Sequence, residues 1–200
     1  MVNTERLSVV VQAGGESRRM GRDKGLLPFQ EGTLIQRVLE RVTPIADEVL
    51  VTTNNPESYG FLKLLLYPDD YPGRGALGGL YTAINAAAHP LVAVVACDMP
   101  FVNTDLLNHQ RELLISTNSD VVIPHTGEGL EPFHSVYRRS TCLPAIEAAL
   151  EDDKWRVDAW FSRVKIQQLK PEGIKIYDPD MLSFFNINTP DDLQTALQIA

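Results

Sequence analysis

The sequence predicts an α/β fold with a mostly parallel sheet and helices on both of its faces. Apolar segments of strand length recur along the 200 residues. Segments with the residue spacing of amphipathic helices lie between them. Strands that alternate with helices form βαβ units, and the strands of such units run parallel. A sheet of this kind binds its ligands at the carboxyl ends of its strands.

Apolar runs of strand length define the predicted strands. In chain order these strands are Leu7 to Val11, Glu48 to Thr52, Lys63 to Tyr67, Leu91 to Ala96 and Asp120 to Ile123. Helical periodicity defines the remaining elements. Thr33 is expected to cap the first helix, since threonine is a common N-cap residue, and Pro44 is expected to end it. The apolar side of this helix comprises Leu34, Ile35, Val38, Leu39 and Val42. The later predicted helices are Leu77 to Ala88, Thr104 to Thr117, Thr141 to Leu150 and a last helix that follows Pro190.

The domain organisation is predicted to be a single domain over residues 1–200. The sequence contains no internal repeat, low-complexity tract or flexible linker. Residues 127–175 are less regular in pattern, and we interpret them as an insertion on the acceptor side that helps to form a substrate pocket.

Composition excludes several classes of protein. The formal net charge is −8, which disfavours a broad surface for nucleic acid. No apolar run has the length of a membrane span. The two cysteines, Cys97 and Cys142, are far apart and lack the spacing of a zinc site. The sequence therefore predicts a cytoplasmic protein with reduced cysteines.

The segment 12-QAGGESRRMGRDKGLLPF-29 directly follows the first predicted strand. The main-chain amides of Gly14 and Gly15 can approach a ligand closely because no side chain blocks them. Arg18, Arg19 and Lys24 bring positive charge to the same loop. The segment matches neither the GxxxxGK[ST] loop nor the GxGxxG loop. The pattern indicates a phosphate-binding loop of a third type, and the alternative is a tight turn with solvated charges.

Four motifs resemble those of the molybdenum cofactor guanylyltransferases, which are nucleotidyltransferases with a Rossmann-like fold. The first is the run from Ala13 to Lys24, which is similar to the signature loop of the family. Gln12 stands where the family has leucine, and Ala76 stands where it has proline. The other three motifs follow in the same order as in the family, and together the four span nearly the whole chain. They are 75-GALGG-79, 97-CDMPF-101 and 185-FNINTPDD-192.

The resemblance implies transfer of GMP from GTP to molybdenum-molybdopterin, with Mg²⁺ as cofactor. Lys24 would contact the transferring phosphates, Arg19 would neutralise developing charge, and Asp98 would hold the metal ion. The residues implied in GTP binding are Gln12, Ala13, Gly14, Gly15, Lys24, Asn54, Asp69, Leu77, Gly78 and Asp98. Asn186 and Asn188 are implied in contacts with the acceptor.

Several of these residues also have a structural interpretation. Asp98 follows an apolar strand, so its carboxylate is expected at the carboxyl end, where an oxygen ligand suits Mg²⁺. By position alone it could equally cap a helix or pair with an arginine, and the resemblance favours the metal. Asp69 and Asn54 lie among residues typical of turns. The segment with Asn186 and Asn188 could instead be a loop in which Asn188 or Thr189 caps the last helix.

Two other functions are compatible with these residues. The first is a cytidylyltransferase of the same fold, and the second is a carrier that holds molybdenum cofactor or nucleotide without turnover. Contacts with molybdoenzymes or with other cofactor-synthesis proteins are compatible with either function. His89, His109, His125 and His134 lack the spacing of metal ligands, and Cys97 is expected to be a buried residue without nucleophilic function.

Overall fold

The computed structural model describes residues 5–14 and 23–200. Gly15, Arg18 and Arg19 lie outside the described residues. The strands are β1 (Leu7–Gln12), β2 (Pro28–Phe29), β3 (Gly32–Thr33), β4 (Glu48–Thr52), β5 (Leu65–Tyr67), β6 (Leu91–Ala96), β7 (Val121–Pro124), β8 (His134–Arg138) and β9 (Ile166–Leu169). Seven of them form a sheet with the order β5-β4-β1-β6-β8-β7-β9, and β2 and β3 form a separate two-stranded hairpin.

The sheet is mostly parallel, as the sequence predicts. β1 lies between β4 and β6 and is parallel to both, and β5 is parallel to β4. β8 is antiparallel to β6 and β7, and β9 is parallel to β7. The register places Val10 beside Leu50 on β4 and beside Val94 on β6. The carboxyl ends of β1, β4, β5 and β6 therefore share one edge of the sheet, and antiparallel β8 begins at that edge.

Helices cover both faces of the sheet. Val9 and Val11 pack on one face with α1 and α4, whereas Val10 packs on the other face with α3 and α5. This alternation is what a strand buried on both faces requires. The helices are α1 (Leu34–Val42), α2 (Pro56–Tyr59), α3 (Gly75–Ala86), α4 (Thr104–Thr117), α5 (Arg139–Glu151), α6 (Pro171–Ile174) and α7 (Pro190–Ile199). Short 3₁₀ turns span Lys24–Leu26, Thr43–Ile45, Gly60–Leu62, Phe161–Arg163 and Leu182–Phe184.

Most predicted elements are present with small shifts of their ends. Thr33 is the N-cap residue of α1, and the five apolar residues predicted on its inner side are all buried. The helix predicted from Leu77 begins two residues earlier, and the one predicted from Thr141 begins at Arg139. Among the described helices, none has both the length and the apolar character needed to cross a bilayer.

Residues 127–175 are more regular than the sequence predicts. They contain β8 and β9 as well as α5, and β8 occupies a position inside the sheet. The strand was missed because His134 and Ser135 interrupt its apolar pattern. Both residues are fully buried, and each side chain has a hydrogen-bonded partner. Ser135 Oγ donates to the carbonyl of Glu131 at 2.6 Å, and the amide of Asn103 donates to His134 Nε2 at 3.4 Å.

Candidate active site

A cavity of about 970 Å³ opens at the edge where the carboxyl ends of the strands meet. This volume is at the upper end of the range for small-molecule sites. Its lining comes from the ends of β1, β4, β5 and β6, the start of α3 and the approach to β8. The lining residues are Gln12, Ala13, Gly14, Asp23, Lys24, Thr53, Asn54, Asn55, Asp69, Gly73, Gly75, Ala76, Ala96, Cys97, Asp98, Met99, Glu131, Phe133 and Asn186.

Most of the candidate residues from the sequence meet at this cavity. Those that line it are Gln12, Ala13, Gly14, Lys24, Asn54, Asp69, Asp98 and Asn186. Asn188 reaches the cavity through Lys24, as described below. Leu77 and Gly78 are buried in α3. Gly15 and Arg19 lie outside the described residues.

The end of β1 is hydrogen-bonded to the ends of both neighbouring strands, β4 and β6. The amide of Ala13 donates to Thr52 O at 2.8 Å, and the amide of Cys97 donates to Gln12 O at 3.0 Å. A β-carbon on Gly14 would have no described neighbour within 4 Å. No described neighbour therefore requires glycine there, and the space in front of Gly14 belongs to the cavity.

The side chain of Gln12 lies against α3. A β-carbon on Gly79 would overlap Gln12 Nε2, so the absence of a side chain at Gly79 makes room for the Gln12 amide. A leucine at position 12 would offer no polar group to the cavity. The departure from the family pattern thus places an amide between the end of β1 and the start of α3.

Lys24, Asp98 and Asn188 form the polar centre of the site. Lys24 Nζ donates to Asp98 Oδ2 at 2.9 Å and to Asn188 Oδ1 at 2.6 Å. The side chains of Lys24 and Asp98 are 19% and 17% exposed. These three residues come from three of the four motifs, and 164 positions separate Lys24 from Asn188. Tertiary folding therefore brings together residues that the sequence holds far apart.

The position of Lys24 is fixed by the residue before it. Asp23 caps the Lys24–Leu26 turn by accepting from the amide of Gly25 at 3.2 Å, and the same carboxylate oxygen accepts from Tyr59 Oη at 2.5 Å. A β-carbon on Gly25 would lie 2.5 Å from Tyr59 Oη. Glycine at 25 therefore allows Tyr59 to reach Asp23. Tyr59 was missed from the sequence, since no local pattern indicates its contact with a residue 36 positions away.

The C-terminal motif is anchored from both ends. The amide of Ile187 donates to Asp98 O at 3.0 Å. The amides of Asn188 and Thr189 both donate to Asp192 Oδ2, at 2.9 and 2.8 Å. Thr189 Oγ1 accepts from the amide of Asp192 at 3.1 Å, which confirms the cap predicted for the last helix. Because the cap uses Thr189, the side chain of Asn188 is left to contact Lys24.

Asn54 and Asp69 form a reciprocal pair on the opposite side of the cavity. Asn54 Nδ2 donates to Asp69 Oδ2 at 2.7 Å, and the amide of Asp69 donates to Asn54 Oδ1 at 2.9 Å. The pair joins the loop after β4 to the loop after β5. Both residues have a structural function as well as a place in the lining, so each of the alternatives weighed for them is partly realised.

The second motif begins α3 at the cavity. Gly73 and Gly75 have φ values of +82° and +58°, a conformation that favours glycine. Gly75 and Ala76 line the cavity, and in the first turn of α3 their main-chain N–H groups donate to no partner among the described residues. The side chain of Leu77 is fully buried in the core. Any contact of Leu77 with a nucleotide is therefore limited to its main chain.

Cys97 and His134 are both buried, and burial shifts the pKa of each side chain. Cys97 is 7% exposed, and burial raises the pKa of its thiol well above the ordinary value. A thiol of this kind is a poor nucleophile. His134 is fully buried, and burial lowers the pKa of its imidazole to about 4. The burial expected for Cys97 is confirmed.

The oxygen atoms at the centre suit a magnesium ion that shares its ligands with a substrate. Asp98 supplies a carboxylate at the cavity, and Asn188 supplies an amide oxygen close to it through Lys24. In the part of the chain that the structure describes, no cluster of three or more His, Cys, Asp or Glu side chains could hold a metal. Mg²⁺ is commonly held by one or two carboxylates together with substrate phosphates and water, so the residues fit such an ion.

Glu131 and Phe133 also line the cavity. Both belong to residues 127–175, which the sequence analysis interprets as a region that helps to form the substrate pocket, but neither was named as a site residue. Their alternation with Leu130 and Pro132 is a local signal that could have indicated two side chains on one face.

Comparison with known proteins identifies the family. The model of the MobA-like NTP transferase domain matches residues 9–165. A protein of Peptoclostridium acidaminophilum named "Probable molybdenum cofactor guanylyltransferase" is 34% identical over 96% of this chain and 89% of its own length. The molybdenum cofactor guanylyltransferase of Desulfosudis oleivorans is 32% identical over 94% of this chain and 92% of its own length.

A solved structure gives the same result. The crystal structure of molybdopterin-guanine dinucleotide biosynthesis protein A from Archaeoglobus fulgidus aligns with a TM-score of 0.82 and 28% identity, over 96% of this chain and 97% of that chain. The match of the family model covers more than half of the chain, and the relatives exceed 30% identity over nearly all of it. This chain belongs to the family of MobA-like NTP transferases.

Proposed function

We propose that this protein transfers GMP from GTP to molybdenum-molybdopterin and releases pyrophosphate. The observation that carries the proposal is the contact of Lys24 with both Asp98 and Asn188 inside the cavity. An ammonium group that can neutralise phosphate charge, a carboxylate that can hold a metal ion and an amide lie together there, which suits the transfer of a phosphate group. The names of the relatives support guanine as the base and molybdopterin as the acceptor.

The reaction needs no nucleophile from the protein. An oxygen of the acceptor phosphate attacks the α-phosphorus of GTP, and a new P–O bond forms. The bond from the α-phosphorus to the oxygen that bridges to the β-phosphorus breaks, and its electron pair leaves with pyrophosphate. Positioning and charge stabilisation then account for most of the catalysis. The buried thiol of Cys97 agrees with a mechanism that uses no covalent intermediate.

Individual residues have separate functions in this proposal. Lys24 places positive charge where the transferring phosphate carries negative charge. The main-chain amides of Gly14 and of the first turn of α3 donate hydrogen bonds to phosphate oxygens. Asp98 would hold Mg²⁺, which when bound is a second source of positive charge for the phosphates, beside Lys24. Gly15 and Arg19 retain the functions expected from the sequence, and Asn186 and Asn188 contact the acceptor.

The cavity has room on both sides of its centre. Asn54, Asp69 and the start of α3 lie on the side of β4 and β5, and we assign this side to the nucleotide. Glu131, Phe133 and Asn186 lie on the side of β8 and the C-terminal segment, and we assign this side to the acceptor. The cytoplasm, where GTP is available, is the expected place of action, and transient contact with molybdoenzymes or cofactor-synthesis proteins is compatible with it.

Nucleotide binding with Mg²⁺ present is the first test. Calorimetry would compare GTP, CTP and ATP on the same preparation, and we expect a clear preference for GTP. A preference for CTP would replace the proposal with the cytidylyltransferase. Pyrophosphate release with GTP and molybdenum-loaded molybdopterin is the second test. Binding of both substrates without pyrophosphate release would replace the enzyme with a carrier.

A further inference from the structure

Glu131 and Phe133 form a separate surface within the cavity, on the approach to β8. Both residues line the cavity, whereas Leu130 and Pro132 line a smaller cavity of about 310 Å³. The segment therefore directs alternate side chains to opposite sides. The amide of Ala96 donates to Phe133 O at 3.1 Å, which fixes this segment beside the strand that leads to Asp98.

The main chain of Glu131 is held rigidly. Its amide donates to Pro124 O at 3.0 Å. Its carbonyl accepts from the amide of His134 at 3.1 Å and from Ser135 Oγ at 2.6 Å. A side chain carried on such a segment loses little additional freedom when a ligand binds, which favours recognition.

The carboxylate of Glu131 has capacity for further hydrogen bonds at both of its oxygens, because each oxygen has two lone pairs. Oε1 accepts from Thr126 Oγ1 at 3.1 Å, and Thr126 is itself buried. Oε2 accepts no hydrogen bond from the described residues. Burial raises the pKa of this carboxyl above its ordinary value, so it gains from N–H donors that a ligand would supply. The described residues that line this side of the cavity include no lysine or arginine. Lys24 lines the cavity at its centre, where it contacts Asp98.

A carboxylate beside an aromatic ring is suited to one kind of ligand. A flat heterocycle with a 2-amino-4-oxopyrimidine edge presents a ring N–H and an amino group side by side. A carboxylate accepts both, and an aromatic ring stacks on the plane. Guanine and pterins share this edge, so the chemistry alone admits either GTP or the acceptor.

The location favours the acceptor. Asp69 follows β5 and Glu131 precedes β8, and the sheet places four strand spacings between these strands. Strands lie about 4.8 Å apart, so the two ends of the cavity are about 19 Å apart. The nucleotide side described above is at the β5 end. Glu131 is at the other end, with the Lys24 and Asp98 pair between them.

We propose that Glu131 binds the 2-amino-4-oxo edge of the pterin acceptor while Phe133 packs against its ring plane. This inference rests on the proposed function and names the part of the cavity that selects the acceptor. Glu131 is a binding residue here, and it takes no part in the phosphate chemistry at Lys24.

The test uses a matched pair of fluorescent probes on the full chain. They are 6-hydroxymethylpterin and 6-hydroxymethyllumazine, which share the ring N3–H and differ at position 2, where the pterin has an amino group and the lumazine has a carbonyl oxygen. We expect the protein to bind the pterin about tenfold more tightly, since hydrogen bonds to a charged group have this magnitude. Glu131→Gln keeps an oxygen acceptor for Thr126 but replaces the other carboxylate oxygen with an NH2 group, which cannot accept from the 2-amino group, so the preference should fall to near one. The matched control is Glu128→Gln, which removes an exposed carboxylate in the same turn that does not line the cavity.

Separate measurements distinguish the possible failures. Unchanged pterin affinity in Glu131→Gln would overturn the inference. Weaker GTP binding in this variant, with loss of discrimination between GTP and ITP, would assign Glu131 to guanine and also overturn it. Phe133→Leu supplies an independent variant, for which we expect weaker binding of both probes.

A wild-type protein that prefers the pterin but makes no dinucleotide would refute the proposed function alone. Dinucleotide synthesis with an unchanged acceptor KM in Glu131→Gln would refute this inference alone.

Discussion

The side-chain amide of Gln12 fills the space that a β-carbon on Gly79 would need. The neighbouring Gly78 differs, because a β-carbon there would lie 2.8 Å from the carbonyl oxygen of Tyr71 and 2.9 Å from Cβ of Arg74. The obstacle at Gly79 is the end of a flexible side chain, whereas the obstacle at Gly78 is largely main chain. Alanine at the two positions should therefore have different effects.

We expect Gly78→Ala to lower the free energy of unfolding by about 1 to 3 kcal/mol through overpacking. Gly79→Ala should change stability little, because alanine favours a helix and Gln12 can move. The displaced amide would enter the cavity and weaken GTP binding about fivefold, which corresponds to one hydrogen bond. Urea unfolding and calorimetry measure the two effects. In a Gln12→Ala background the Gly79→Ala change should have no further effect on GTP, and an equal loss there would show that Gln12 is not involved.

Lys24→Ala should lower kcat about 100-fold or more while the protein stays folded. The lysine places its charge at the centre of the cavity, and removal of one such group typically costs a factor of this size. The Asp98 carboxylate that it leaves behind remains partly accessible, so water can replace the lost partner. Steady-state release of pyrophosphate measures the effect. Lys154→Ala is a matched control, since Lys154 forms an exposed ion pair with Asp152 at 3.3 Å away from the cavity lining. Turnover near the wild-type value in Lys24→Ala would remove Lys24 from the mechanism.

The fold was largely predictable because its central strands are mostly apolar. β4 and β6 have the predicted ends, since an apolar run between polar residues gives clear boundaries. β8 was missed because a strand can also be buried with polar residues when each has a partner. Those partners come from distant positions, such as the amide of Asn103 for the imidazole of His134. Single-sequence periodicity does not contain this information.

The site was predictable where a motif carries it. Lys24 and Asp98 were found because each lies in a recognisable segment, and their contact at 2.9 Å follows from strand ends that share an edge. Tyr59 was missed, and Glu131 was expected only as part of the acceptor-side region 127–175. Tyr59 acts through Asp23, and Glu131 lies before a strand that the pattern did not indicate. Their positions depend on the assembled sheet.

Asn54→Ala should raise the KM for GTP and leave kcat nearly unchanged. The substitution removes both hydrogen bonds that hold Asp69 and its loop in place. Ordering this loop would then oppose nucleotide binding, and we expect about a tenfold rise in KM. A suitable control is Asn85→Ala, because Asn85 also donates to an aspartate, Asp70, at 3.0 Å but neither residue lines the cavity. An equal rise in both variants would contradict a specific role for the Asn54 and Asp69 pair.

Acid should destabilise the protein through His134. The pKa of its imidazole is about 4 in the folded protein, against an ordinary value of 6.5, because burial disfavours the charged form. Between these two values the unfolded chain binds a proton that the folded protein does not, so the free energy of unfolding falls as the pH decreases from about 6.5 to about 4. A shift of this size corresponds to about 3 kcal/mol, at about 1.4 kcal/mol for each pKa unit. Asp178 is the charged group that opposes this shift.

Urea unfolding at a series of pH values measures this contribution. His134→Gln removes the titrating group, so its stability should depend less steeply on pH over that window by about the same 3 kcal/mol. The variant can be less stable at every pH without affecting the test, because the test compares slopes. His125→Gln is the control, since His125 is exposed and its substitution should leave the slope unchanged. If His134→Gln and the wild-type protein lost stability in parallel between pH 6.5 and 4, the imidazole of His134 would not be the group that is buried in its neutral form.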